Sequence, residues 1–156
     1  MPYQLDLIDL RLLRELQTNA DRPNVELAKI VGLSPAATLH RVRRLKDSGI
    51  VRGIAARLDS AVAGFSLQVY VAVTLQRHDD ASHRRFREAV LGMPEVIAAD
   101  WVTGETDAML MVVAREVAEL QRVLVRLSTR GGAARVMTFL RLEEIKPSSP
   151  LPLEPA

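Results

Sequence analysis

NVELAKIVGLSPAATLHRVRRLKDSG, residues Asn24 to Gly49, decides how the first third of the chain folds. Asn24 offers an N-cap before Val25, Leu27, Ile30 and Val31, whose spacing predicts a helix of only about two turns. Gly32 stops it, because glycine accepts the left-handed backbone in which helices commonly end. Two residues on, Ser34-Pro35 is a strong helix start: the serine accepts an orphan amide bond, and the proline has no amide to leave unpaired. Leu39, Val42 and Leu45 form one apolar stripe of a helix running to about Ser48, ended by Gly49. Ala36, Ala37, His40, Arg41 and Arg44 are then expected to face outward. Upstream, Leu5, Ile8, Leu12, Leu13 and Leu16 predict a further helix, capped by Asp6 and reaching about Gln17. The Gly32-Leu33-Ser34 turn between the last two helices describes a helix-turn-helix whose second member is polar and basic on its free face.

Charge supports that reading. The 156-residue chain has a net charge of only +2, yet residues 1–57 carry 10 Lys/Arg against 6 Asp/Glu, and the remainder carries 11 against 13. Arg41, Arg43, Arg44, Lys46, Arg52 and Arg57 lie close together with Asp47 alone opposing them, a basic patch of the kind that meets nucleic acid. Apolar residues at 48% and charged residues at 26% fit one globular domain or two small ones. The longest apolar run, Ala108 to Ala114, is far short of the roughly 20 residues of a membrane span. No secretory leader is evident at the N-terminus, and zero cysteines exclude disulfides, thiolate zinc sites and cysteine nucleophiles. A cytoplasmic location without membrane association is expected.

Beyond a connector from Ile50 to Gly64 the period changes to two. Leu67, Val69, Val71, Val73 and Leu75 line one face of a strand, and Gln68, Tyr70, Ala72, Thr74 and Gln76 the other. Asp79 or Asp80 caps a helix with the stripe Phe86, Ala89, Val90 and Met93, ended by Pro94. Val96 to Val102 and Ala108 to Ala114 read as strands; Val117, Leu120, Leu124 and Leu127 mark a helix ended by Gly131-Gly132, and a last strand spans about Arg135 to Ile145. A proline-rich tail follows. The order predicts an α+β fold, with the helix-turn-helix followed by a ferredoxin-like βαββαβ sandwich. Its second sheet face, only moderately polar, calls for cover by a two-fold partner and hence a homodimer.

Several stretches resemble the leucine-responsive regulator/AsnC (feast/famine) family: LDLIDLRLLRELQ (Leu5 to Gln17), ELAKIVGLSPAATLHRVRRL (Glu26 to Leu45), SGIVRG (Ser48 to Gly53), VTGETD (Val102 to Asp107) and LEEIK (Leu142 to Lys146). The resemblance spans nearly the whole chain in the family's order. It implies a winged-type helix-turn-helix over residues 1–60, an ACT-like ligand-binding and oligomerisation domain over 61–146, and a tail over 147–156. It further implies a sequence-specific transcription regulator that binds double-stranded DNA, forms dimers assembling to octamers, and answers to a small amino acid or similar metabolite. Two positions depart from the family pattern. The turn usually written GDYDYLL is Gly104-Glu105-Thr106-Asp107-Ala108-Met109-Leu110, without its aromatics, and the last strand's TxT is Val136-Met137-Thr138. An unusual effector or a reduced response is expected.

For DNA, Ser34, Ala36, Ala37, Thr38, His40, Arg41 and Arg44 are the candidate contacts. Arg41 is expected on phosphate, Ser34 and Thr38 near the helix start on phosphate or base, and the two alanines only on apolar base surface. For the effector, the resemblance points to Gly104, Glu105, Thr106, Asp107 and Thr138. Glycine would let backbone amides approach a carboxylate, and Asp107 would meet an α-ammonium group. Asp107 as a plain turn-closing residue is the competing reading. His78 and His83 lie five apart on different sides of a helix, so no metal site is expected, and Trp101 reads as core, with lining a pocket as the alternative. No nucleophile, phosphate-loop or dinucleotide motif points to an enzyme or a cofactor. An architectural DNA-wrapping protein without effector is the alternative function, and a stand-alone metabolite-binding domain the third.

Overall fold

The computed structural model describes residues 4–153. The chain forms two compact units, one containing the residues up to Arg57 together with those from Lys146 onward, the other Leu58–Ile145. The first holds α1 (Leu7–Thr18), α2 (Asn24–Val31) and α3 (Pro35–Asp47). Asp6 caps α1 through a capping box with Asp9, Gly32 ends α2 at φ 70°, and the Ser34 hydroxyl accepts the Ala37 amide at the start of α3. Asn24 is not a cap. Pro23 precedes the first turn of α2, and the Asn24 amide instead donates to the Pro35 carbonyl at 2.8 Å, joining the starts of α2 and α3.

The apolar cluster of this unit is Leu12, Leu13, Leu27, Val31, Val42 and Leu45. Leu39, expected in it, is 40% exposed, and Thr38 takes the buried position instead. The substitution is tolerable because the Thr38 hydroxyl donates to the Ser34 carbonyl one turn back at 3.0 Å, so burial leaves no donor unpaired.

The second unit runs β1 (Leu67–Leu75), α4 (Asp80–Leu91), β2 (Val96–Trp101), β3 (Ala108–Ala114), α5 (Val117–Thr129) and β4 (Ala133–Leu140). The sheet order β2-β3-β1-β4, antiparallel throughout, is that of the ferredoxin-like sandwich. β1 is central, and its residues Val69, Val71, Val73 and Leu75 meet Phe86, Val90, Val123 and Leu127 from the helices. β4 is shorter than expected: the strand ends at Leu140, with one last amide, that of Arg141, bonding the Gln68 carbonyl, and Leu142 and Ile145 are almost fully exposed. Trp101 also departs from expectation. At the end of edge strand β2 it stays 41% exposed, its ring 4.9 Å from that of His83 and 5.4 Å from that of Phe86.

Arg85 ties the two helices together by donating to the Arg130 and Thr129 carbonyls at the C-terminus of α5, where the helix dipole favours a cation. The next residue, Gly131, has no room for a side chain: a Cβ would lie 2.5 Å from the Leu127 carbonyl oxygen and 3.1 Å from Phe86. Gly131→Ala should therefore destabilise the sheet unit by about 1–3 kcal/mol, the usual cost of overpacking, measured as a lower urea midpoint at unchanged m-value.

Candidate functional site

The helix-turn-helix is held by bonds that each trace to a short stretch of sequence. Left-handed Gly32 turns the chain so that the Leu33 amide bonds the Ala28 carbonyl at 3.0 Å, and Asn24 fixes α2 to α3. α3 is then locked to the start of α1 by charge. Asp9 is fully buried, and it accepts from Arg41 at 2.9 Å and from Arg44 at 3.0 Å. Arg41 also reaches the α1 cap Asp6 at 2.6 Å. The Asp9 backbone amide, and after it the Arg41 guanidinium, hold the Asp6 carboxyl below the usual aspartate range; Asp6 first and Asp9 second raise Arg41 in turn.

This arrangement corrects two expectations. Arg41 does not face outward: its side chain is 25% exposed and turned toward α1. Thr38 is fully buried and presents no hydroxyl to a ligand. Ser34 is spent on its cap, and Ala36, Ala37 and His40 are exposed, as expected. Arg44 is half-exposed while bonded to Asp9. Arg43 is an exposed cation absent from the expected contacts, and three- and seven-residue spacing from His40 and Ala36 puts it on their face.

The expected effector residues separate. The Asp107 carboxylate accepts the Leu75 amide at 2.7 Å and lies 3.0 Å from His78 Nε2, while its backbone amide donates to the Val73 carbonyl. The Thr106 hydroxyl donates to that same carbonyl at 2.8 Å. Asp107 thus closes the turn against the end of β1. Gly104, at φ 123°, gives the turn a backbone that L residues rarely adopt. Thr138 pairs opposite Val71 and so shares the helix-side face of the sheet, whereas Glu105 and Thr106 border a concavity of about 250 Å³ on the opposite face. Its other walls include Thr74, Met109, Arg135, Met137 and Phe139.

Comparison with known proteins fits both halves. The family described as Lrp/AsnC ligand binding domain matches residues 68–151, and that described as winged helix-turn-helix DNA-binding matches residues 5–52. The chain belongs to the Lrp/AsnC family. It is 36% identical to the leucine-responsive regulatory protein of Rhizobium meliloti, over 92% of each chain. To the Bkd operon transcriptional regulator of Pseudomonas aeruginosa it is 34% identical, over 96% of this chain and 99% of that one. The crystal structure of a transcriptional regulator in complex with L-Met from Neisseria meningitidis superposes with a TM-score of 0.88 at 34% identity, covering 96% and 97% of the two chains.

This Lrp/AsnC-family protein is accordingly a transcription regulator with a DNA-binding helix-turn-helix and a ligand-binding domain. Among the described residues no three histidine or carboxylate side chains converge as a metal site, and no helix is long and apolar enough to cross a membrane. His78 is engaged with Asp107 and His83 with the Trp101 ring. Arg135 escaped the sequence reading because its one signal is register: it stands opposite Thr74 on the face that carries the concavity.

Removing the buried carboxylate by Asp9→Ala should cost the first unit about 2 kcal/mol, below the range for a fully buried pair because both arginines keep some water contact; thermal unfolding measures it. Acid should act on the same junction. With its folded pKa lowered, Asp6 contributes stability that is complete above its unfolded value of about 3.9 and lost as pH falls through the lower folded value; an NMR acid titration should show α1 amides losing protection there.

Proposed function

We propose that this regulator reads specific DNA sites with the outer face of α3 and that a small amino acid bound beside the β2–β3 turn modulates it. The observation that carries the DNA reading is the division of labour along α3. The Arg41 and Arg44 side chains are drawn back to Asp9, while Ala36, Ala37, His40 and Arg43 stay exposed. Small residues at the helix start admit close approach to base edges, His40 supplies hydrogen bonds, and Arg43 supplies the cation for phosphate or guanine. Arg41 serves as a positioning residue, with Ser34 holding the helix start. Sparse polar readout gives DNA shape a large share of the specificity.

For the effector, the sheet concavity offers complementary groups. Arg135 suits a carboxylate, Glu105 an ammonium group, and the Thr74 and Thr106 hydroxyls lie between apolar walls of Met109, Met137 and Phe139. Glu105 takes the role first expected of Asp107, whose carboxylate already holds the Leu75 amide. The Neisseria meningitidis relative, solved as an L-Met complex, supports an amino acid as ligand class. Tyr70, Met137 and Phe139 leave this sheet face apolar and 39–49% exposed. A second subunit stacking its sheet here makes a homodimer, closes the concavity and sets two readers about one helical turn apart; dimers then build larger rings such as octamers. The action is cytoplasmic and non-enzymatic.

Arg43→Ala should weaken specific and non-specific DNA binding together and lower the salt slope by about one unit; an unchanged slope removes Arg43 from the interface. Calorimetry with the twenty amino acids should find at least one ligand, and Arg135→Ala or Glu105→Ala should weaken it by about tenfold or more while DNA affinity without ligand is kept. Absence of any amino-acid ligand, together with broad rather than site-restricted genome occupancy, would favour the architectural reading.

A further inference from the structure

The C-terminal tail is seated on the DNA-reading unit by contacts to its backbone. Three side chains of that unit each meet a tail carbonyl. Arg57 donates to Ser148 at 2.8 Å, Gln17 to Leu151 at 3.3 Å, and Arg14 Nε to Leu153 at 2.8 Å, the last joined by a second Arg14 nitrogen. Gln17 also accepts the Leu151 amide at 2.7 Å, so one amide side chain pairs both backbone groups of a single residue, as a neighbouring strand would. The Leu153 amide is taken by the Leu151 carbonyl at 2.9 Å. Below these bonds, Leu153 packs against the three-helix apolar cluster beside Leu5, Ile8 and Leu16.

The tail sequence suits such a seat. In Pro147-Ser148-Ser149-Pro150-Leu151-Pro152-Leu153 each proline fixes its own φ, and Ser149 and Leu151, each preceding a proline, are biased toward extended backbone. A chain restricted in this way loses little entropy on docking. Prolines also remove the amides that would otherwise need partners. Between Pro150 and Leu153 only the two leucines carry a backbone N–H, and both are hydrogen-bonded, to Gln17 and to the Leu151 carbonyl. Without the tail, the groove left by Leu5, Leu13, Leu16, Ala20 and the Ile50 to Ala55 segment loses the wall formed by Leu151 and Leu153.

We infer that Arg14, Gln17 and the Leu5/Leu13/Leu16 groove form a peptide-binding site on the DNA-reading unit for a proline-spaced leucine segment that turns at its inner proline, whose resident ligand is this chain's own Pro150 to Leu153. Tail binding completes the core on which α1 rests, and α1 carries the Asp6 and Asp9 carboxylates that hold α3. The tail is thereby part of the DNA reader.

The test uses a chain ending at Ile145 and a fluorescent peptide with the sequence of residues 146–156. The peptide should bind the shortened chain saturably, and Arg14→Ala with Gln17→Ala in that chain should weaken capture by about tenfold or more. The shortened chain should bind a mixed-sequence duplex at low salt about tenfold more weakly than the full chain, with unlabelled peptide restoring the affinity. In the full chain, where folding is not in question, hydrogen exchange at the Leu151 and Leu153 amides should be slowed about tenfold or more, and Gln17→Ala should release Leu151. Failure of the peptide to bind a folded shortened chain, equal capture after the double substitution, duplex affinity indifferent to the tail, or free exchange at Leu151 in the full chain would each overturn the assignment. So would protection that disappears on dilution to monomer, which would place the tail on a second copy.

Discussion

A carboxylate taken wholly out of water has to be answered by charge or hydrogen bonds, and Asp9 is such a group in the N-terminal unit. It sits in the first turn of α1, where the helix end itself favours an anion. Arginines three apart on α3 supply the rest, because residues at that spacing project to one side of a helix. The requirement organises the whole reader. It ties α1 to α3, draws the Arg41 and Arg44 side chains back to that contact, and leaves His40 and Arg43 exposed. Arginines at 41 and 43 differ by two positions and therefore by roughly 200° around the helix, which is enough to give identical side chains unrelated work.

In the sheet unit the corresponding rule is alternation. β1 lies between β3 and β4, so each of its residues fixes the facing of two partners. Val71 and Val73 point to the helices, and their partners on β4, Thr138 and Val136, must do likewise. Ala72 and Thr74 face the other way, with Met137 and Arg135. The Val73 carbonyl then anchors the β2–β3 turn through both the Asp107 amide and the Thr106 hydroxyl. A turn held this tightly keeps its shape at the rim of the concavity, since the groups that define it are already bonded within the fold.

Local signals were legible in the sequence, and long-range ones much less so. Ser34-Pro35, Gly32 and the period-two run from Leu67 to Leu75 act through their immediate neighbours, so spacing alone places α3, the turn and β1. Thr38 and Leu39 show the limit: both lie near the apolar stripe, and the burial of the threonine depends on a carbonyl four residues back that spacing does not weigh. Arg41 was misplaced because its partners are 32 and 35 positions away. Thr138 was assigned to the effector by motif position, whereas its face follows from register against Val71. Trp101 carries the bulk of a core residue on an edge strand that pairs with β3 alone, and it stays partly exposed beside His83 and Phe86. Helix-turn-helix and sandwich were therefore readable as classes, while the division of residues between holding and binding required the partners.

The DNA-reading unit is assembled from two separate segments, residues 4–57 and 146–153, with the whole sheet unit encoded between them. A ribosome makes α1, α2 and α3 before the sheet unit, and Leu153 only after β4. Until then the leucines of α1 lie beside a groove without its Leu151 and Leu153 wall, and the sheet unit has time to form before they are covered. Segment order within the polypeptide acts as a clock: a nascent chain that has reached β4 carries all three helices and still lacks the leucine that packs on them.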